Sequence, residues 1–456
     1  MAALEAATQQ ARVRAPITFG RQPLSFFSGA EAPRLGGRVK PTAVRFNFVD
    51  KAHGVDSSAS QAFGDVLDTE ASNTMRHDNS VLHQILQHIP WSRFEGLVQD
   101  HQADKHVRRL STKSQLVAML YAQFSGASSL REIETGLLSH QARLYHLGVD
   151  QPRRSTLADA NALRPAAVFA GLFGLLAAQA HRGLRKALWD TTYLIDSTGL
   201  KLCQRSADWA RYSQRVCGAK LHVIYDPDAD QPIYAAISAA NVNDITPAQA
   251  MPIEAGATYV FDLGYYDYRW WAKLDQAGCR IVTRFKKNTP LVLLKELPLP
   301  KDSAIFSDRI GFLPARQKNN RHNPLNSALR EVCVRTDNGK MLRILSNDLD
   351  ATAQQIADLY KRRWAIELFF RWIKQTLKIN HFLGTSHNAV AIQIATALIA
   401  FLLLRLAQAG QTAVKTPLAF ARLLRANLMH RRPIDRLIEP PIISHPNTQQ
   451  LAIQWS

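Results

Sequence analysis

The sequence predicts a mixed α/β protein with helical regions at both ends, and three observations carry that prediction. Residues 77 to about 148 place apolar side chains at a period near 3.6 behind polar caps, the helical signature. Around residue 190 the texture changes to short runs of β-branched and aromatic residues punctuated by Gly, Pro and Asp-Pro, and from residue 350 a long helical pattern returns. Three neighbouring strand patterns, followed by helix and strand in alternation, suggest a mixed sheet. A chain of 456 residues, 46% hydrophobic and 20% charged, is globular and large enough for two to four domains.

Taken in order, residues 1–74 are rich in Ala, Gly, Ser, Pro and Arg without sustained periodicity, and are expected to be disordered or weakly structured. Met75 begins a new texture, MRHDNSVLHQILQHIPWSRFEGLV, and translation is expected to start there naturally. STKSQLVAMLYAQFSGASSLREIETGLL reads as two capped helices broken at SGASS, a layout that fits a helix-turn-helix but more often reflects simple packing. RSTLADANALRPAAVFAGLFGLLAAQA reads as one capped, largely buried helix. TTYLIDSTGLKL, AKLHVIYDPD, QPIYAAISAA and ATYVFDLG then read as strands, YDYRWWAKLDQAG as a helix and CRIVTRF as a strand. Trp270 and Trp271 suit the core and rim of that helix, His222 suits strand packing, and Asp226, Asp228 and Asp230 suit a hairpin turn rather than a calcium loop. Residues from about 290 to 350, with REVCVRT and KMLRILS, form a β-rich insertion. DATAQQIADLYKRRWAIELFFRWIKQTLKI closes the pattern as one long helix capped by Asp350.

Charge narrows the partners. Lys and Arg outnumber Asp and Glu by 56 to 37, a formal +19. The first 74 residues hold eight basic and seven acidic side chains, so +18 belongs to the remainder, the kind of imbalance that nucleic acid exploits. Four separated cysteines, Cys203, Cys217, Cys279 and Cys333, include no C-x-x-C pair and argue against a zinc ribbon or a disulfide framework, as expected in a reducing cytosol. The longest apolar runs, Ala166 to Ala180 and Ala389 to Leu404, fall short of the roughly 20 residues needed to span a bilayer and read as core helices, and the amino terminus has no signal-peptide pattern.

The acids carry the chemistry. In YKRRWAIELFFRWIKQTLKI, Glu367 is one acid among six basic residues, on a predicted stripe with Tyr360, Arg363, Arg371 and Lys374. Ordinary ion pairing at four-residue spacing would account for it in isolation. Asp196 in YLIDSTG and Asp262 in YVFDLG each end an apolar strand pattern just ahead of a glycine, where turn chemistry would also place an Asp. Phosphodiester cleavage and transfer need charge neutralised at the attacking and leaving oxygens, and two Mg²⁺ ions held by a few carboxylates provide it. Three acids on separate elements, the third amid phosphate-binding cations, suit that task.

Together, Asp196 in IDSTGLKL, Asp262 in FDLGYYDY, and Tyr360, Arg363, Glu367 and Lys374 at Y-x2-R-x3-E-x6-K spacing resemble the DDE transposases of bacterial insertion sequences, in the family marked by the Y-R-E-K signature. The resemblance extends from about Arg76, through HDNSVLHQILQHIPW, to RRPIDRL near the carboxyl end. It implies a ribonuclease H-like mixed-sheet catalytic core over residues 151–285 with 351–410, a β-strand insertion at 286–350, an α-helical DNA-binding domain at 75–150 and a helical segment at 411–456. It implies Asp196, Asp262 and Glu367 as catalytic ligands of two Mg²⁺, with Mn²⁺ as a substitute. Tyr360, Arg363 and Lys374 would contact DNA phosphates, and Arg371 joins them on helical geometry. The implied partners are double-stranded DNA, at inverted-repeat ends and target, and a second copy in a synaptic homodimer, in the bacterial cytoplasm at the nucleoid rather than a membrane. One strand would be nicked at the element end, and the released 3′ hydroxyl would attack a second phosphodiester in line. No Trp lies between Trp271 and Trp364 to stack on a flipped base in a hairpin intermediate, which leaves Phe306, Phe312 or excision without a hairpin. A nuclease that cuts without joining and a catalytically silent, DNA-binding repressor are the alternative functions.

Overall fold

The computed structural model describes residues 44–46, 79–184, 191–299, 303–316, 322–336, 339–379 and 381–439. The described residues fall into two compact units. The larger takes residues 44–267, 276–279 and 362–439, and the smaller takes Tyr268–Asp275 and Arg280–Lys361. Apart from Val44–Phe46, the expectation for residues 1–74 lies outside the described residues.

The larger unit holds strands β1 (Val44–Phe46), β2 (Thr192–Leu202), β3 (Cys217–Asp226), β4 (Gln231–Ala239) and β5 (Thr258–Phe261), in the order β1-β4-β3-β2-β5. The β1/β4, β4/β3 and β3/β2 pairs are antiparallel and β2/β5 is parallel. The β3–β4 turn is the predicted hairpin: the Asp226 carboxylate accepts from the N–H groups of Asp228 and Ala229, and Asp230 adopts φ +53°. Arg362 and Arg405 pair with Asp228 and Asp230.

Apolar helices form the core of this unit. Ala166–Leu184 packs on β4 and on His387–Ala409, which also covers Thr112–Ser125. His387–Ala409 is the one described helix long and apolar enough to cross a membrane, and 89% of its apolar window is buried inside the protein. The expected single helix around RPAAVF is two, Arg154–Leu163 and Ala166–Leu184, with an 81° bend between them. Pro165 lacks an N–H and drives Arg164 out of helical geometry to φ −71°, ψ 142°. Asn388 repairs the break: its amide donates to the Asn161 and Arg164 carbonyls and its oxygen accepts from Ala166 N–H.

The SGASS pair is Thr112–Ser125 and Leu130–Leu138, capped by Ser111 and Ser129, with Gly126 at φ +78° ending the first. Thr112–Ser125 is buried along almost its whole length, so it is a packing element, while Leu130–Leu138 leaves one face in solvent.

The smaller unit holds β6 (Arg280–Arg284), β7 (Val292–Glu296), β8 (Ile305–Phe312), β9 (Leu329–Arg335) and β10 (Met341–Ser346), antiparallel in the order β6-β10-β9-β8-β7. Its Arg-rich composition is structural: Arg330 forks onto the buried Asp308, and Arg343 pairs with Glu331 while donating to the carbonyls of Lys286, Lys287 and Thr289. Trp270 and Trp271 are both buried, whereas Phe306 and Phe312 are exposed.

The expected single helix from Asp350 is Ala353–Arg362 followed by Trp364–Thr376. Its cap is Thr352, which exchanges hydrogen bonds with Gln355 in a capping box, and Asp350 instead lies in the turn before it.

Candidate active site

Asp196 sits in the middle of its strand, not at the polar end that the sequence suggests. β2 runs on to Leu202 because β3 continues beside it as far as Cys217. On its other side β2 pairs with β5 only up to Ile195↔Phe261. Asp196 and Asp262 are thus the next residues in register on adjacent parallel strands, whose backbones run about 4.8 Å apart. They stand at the carboxyl end of that pairing, the edge where such sheets present ligand-binding groups. Asp262 leaves its strand with extended backbone (φ −96°, ψ −171°), and its carboxylate accepts from Gly264 N–H at 2.7 Å.

Glu367 comes from Trp364–Thr376, which packs on β2. Arg363, one turn earlier, links helix to sheet. Its guanidinium donates to Asp196 Oδ2 at 3.3 Å and to Glu367 Oε1 at 2.5 Å. Burial pushes the Asp196 carboxyl up to about 7; Asp262 and Glu367 push the same way by like charge, while Arg363 and the Ser197 N–H oppose them.

Three acids and a bridging guanidinium thus share one neighbourhood. Among the described residues no three His, Cys, Asp or Glu side chains converge closely enough to hold one ion as they stand, and Arg363 stands between Asp196 and Glu367. The donor set is nevertheless chemically suited to a hard divalent cation: oxygen ligands only, a buried carboxylate destabilised by its like-charged neighbours, and a cation already recruited to relieve them.

The predicted cationic stripe divides. Lys374 is half-buried, with its amine lowered below the usual lysine value by burial, and has no ion-pair partner among the described residues. Arg371 lies over the Trp364 ring, 5.9 Å from its centre. Tyr360 is 8% exposed, a buried ring rather than part of an open stripe.

Sequence reasoning missed Asp244. Its Oδ1 accepts from Ser197 Oγ and Lys220 Nζ, both at 2.9 Å. His222 Nδ1 lies 3.9 Å from the same oxygen. The His222 ring is fully buried as expected, with Nε2 bonded to Ser238 Oγ at 2.8 Å, and burial lowers its pKa to about 4 against the pull of Asp244. The only signal in the sequence was a polar NVND run after a strand, which reads as a turn.

Residues 190–403, which contain all three acids, match the family described as transposase DDE domain, and residues 77–150 match a domain family of unknown function. A putative transposase of Sinorhizobium fredii is 41% identical over 296 residues, 64% of this chain and 82% of that protein. The chain belongs to the DDE transposases. A probable transposase for insertion sequence element IS5377 of Geobacillus stearothermophilus is 29% identical to this transposase over 336 residues, 70% of the chain and 87% of that protein. Among solved structures, a piggyBac transposase synaptic complex with hairpin DNA aligns over 82% of the transposase and 84% of its own chain, at 13% identity and a TM-score of 0.39, a distant likeness.

Proposed function

We propose that this transposase binds the inverted-repeat ends of an insertion sequence as a synaptic homodimer, nicks one strand and joins it to target DNA, with Asp196, Asp262 and Glu367 holding two divalent ions. One observation carries the reading: the β2–β5 register sets Asp196 beside Asp262, and Arg363 ties Asp196 to Glu367. When bound, Mg²⁺ or its substitute Mn²⁺ supplies charge neutralisation at the attacking and leaving oxygens.

The chain's own groups do the rest. Arg363 keeps the clustered acids compatible before ions arrive, and on release its guanidinium faces the DNA backbone with Arg371 and Lys374. A half-buried lysine without an acidic partner is suited to a phosphate. A contact from Tyr360 requires its ring to uncover first.

The order β4-β3-β2-β5, antiparallel twice and then parallel, supports a ribonuclease H-like core for residues 151–285 with 351–410. Residues 286–350 would be its β-rich insertion, 75–150 the DNA-binding domain and 411–456 the carboxyl-terminal helical segment, of which 75–78 and 440–456 lie outside the described residues. Beside 75–150 lies a recess of ≈ 830 Å³ whose lining mixes Arg108, Arg109 and Arg153 with Glu134 and Asp150.

Glu367→Gln tests the reading. Mg²⁺-dependent nicking of an end-containing duplex should disappear while end binding persists, and unimpaired nicking refutes the assignment. Joined products from the unmodified chain separate a transposase from a nuclease that only cuts.

A further inference from the structure

We propose that Asp244 is a fourth carboxylate of the active site, a positioning residue that sets Asp196 and Asp262 for their divalent ions; the role rests on the three-acid reading above. Asp244 lies between β4 and the short Ile245–Ala248 helix, in the same unit as the other acids.

Two observations tie it to the strand acids, one to each, and a third sets an unpartnered ring nitrogen beside it. Ser197 donates its hydroxyl to Asp244 Oδ1 at 2.9 Å and its backbone N–H to Asp196 Oδ1 at 2.8 Å, so the residue that orients Asp196 is itself held by Asp244. On the other side, a Cβ added at Gly264 would stand 3.0 Å from Asp262 Oδ1 and 3.3 Å from Asp244 Oδ2. The two carboxylates flank one backbone point that a Cβ would crowd, and Gly264 N–H donates to Asp262. Finally, the fully buried His222 presents Nδ1, which has no hydrogen-bond partner, 3.9 Å from Asp244 Oδ1.

A plain ion pair would explain Lys220 at 2.9 Å, but it requires neither the Ser197 link nor the shared approach to Gly264. Lys220 balances one charge and is anchored independently by the Val242 carbonyl at 2.9 Å, so Asp244 can sit close to two other acids without driving them apart. Groups that orient metal ligands in this way affect metal affinity by roughly 10- to 100-fold when removed.

The test uses the full chain and Mn²⁺ alone as probe, with free Mn²⁺ counted by electron paramagnetic resonance. Asp244→Asn should weaken Mn²⁺ binding about tenfold while metal-free binding to inverted-repeat DNA stays intact. The double variant Lys220→Met with Asp244→Asn should remain equally weak. Recovery of unmodified affinity in that double variant would mean that Asp244 only neutralises Lys220, and would overturn the proposal, as would unchanged affinity in Asp244→Asn. If Asp244→Asn does not fold, Ser197→Ala severs the same link and should still weaken Mn²⁺ binding; no change there also overturns it. Asp262→Asn separates the two claims. Should it bind Mn²⁺ normally, the three-acid reading falls and this inference with it; should it lose binding while Asp244→Asn does not, only the inference falls.

Discussion

Asp196 stands on β2 and Asp262 just past the end of the neighbouring β5, whereas Glu367 stands on a helix and is tied to Asp196 through Arg363. The strand acids follow Ile195 and Phe261, both buried and paired to each other, and a one-residue slip of either strand would turn its carboxylate to the opposite face. Glu367 keeps 34% of its side chain in solvent, and an i,i+4 ion pair of this kind contributes only a few tenths of a kcal/mol. The sheet therefore fixes one half of the site and the helix offers the more exposed half, with Arg363 bridging the two.

The largest effect comes from breaking the fixed half. Asp262→Asn should remove several kcal/mol of transition-state stabilisation, a loss on the order of 10³-fold in metal-dependent nicking. Nicking within tenfold of the unmodified chain would place the chemistry elsewhere. The contrast also predicts unequal stability costs. Leu194→Ala, on β2 two residues before Asp196 and fully buried, should lower unfolding free energy in urea by about 3 kcal/mol. Leu368→Ala, beside Glu367 and 46% exposed, should stay within about 1 kcal/mol. Equal losses would contradict a rigid sheet side and a looser helix side.

His222 sharpens the comparison through pH. Its folded pKa, about 4, lies below the ordinary 6.5, so the fold favours the neutral ring. That stabilisation is complete above pH 6.5 and drains away as pH falls towards 4, with about 2 kcal/mol lost between pH 7 and pH 5. His222→Gln should flatten that part of the stability profile; an unchanged slope would remove His222 from the account. The smallest effect belongs to the helix. Lys374→Ala should weaken DNA binding similarly across sequences and reduce its salt slope by about 1. Altered sequence preference with an unchanged slope would contradict a phosphate contact.

Much of this was legible because the relevant signals are local. Asp262 ends an apolar tetrapeptide, and nothing beyond its own strand is needed to see it emerge at the edge. For Asp196 the sequence suggests a strand end, whereas its strand continues because β3 is long and its open edge comes from β5 stopping at Phe261, a property of a neighbour that a single segment does not encode. Asp244 was invisible on the same ground, since Ser197, Lys220 and Gly264 come to it from three other places in the chain. Tyr360 matched the helical stripe by spacing, yet packing decided its burial. The bend at Pro165 was readable in principle, but the apolar period on either side outweighed one proline.

Anomalous diffraction from Mn²⁺-soaked crystals of the transposase locates the metal relative to the three acids. The expected result is manganese bound by the Asp196 and Asp262 carboxylates at about 2 Å, with Arg363 displaced from Asp196. Manganese bound only elsewhere, with Arg363 still bridging Asp196 and Glu367, would contradict it.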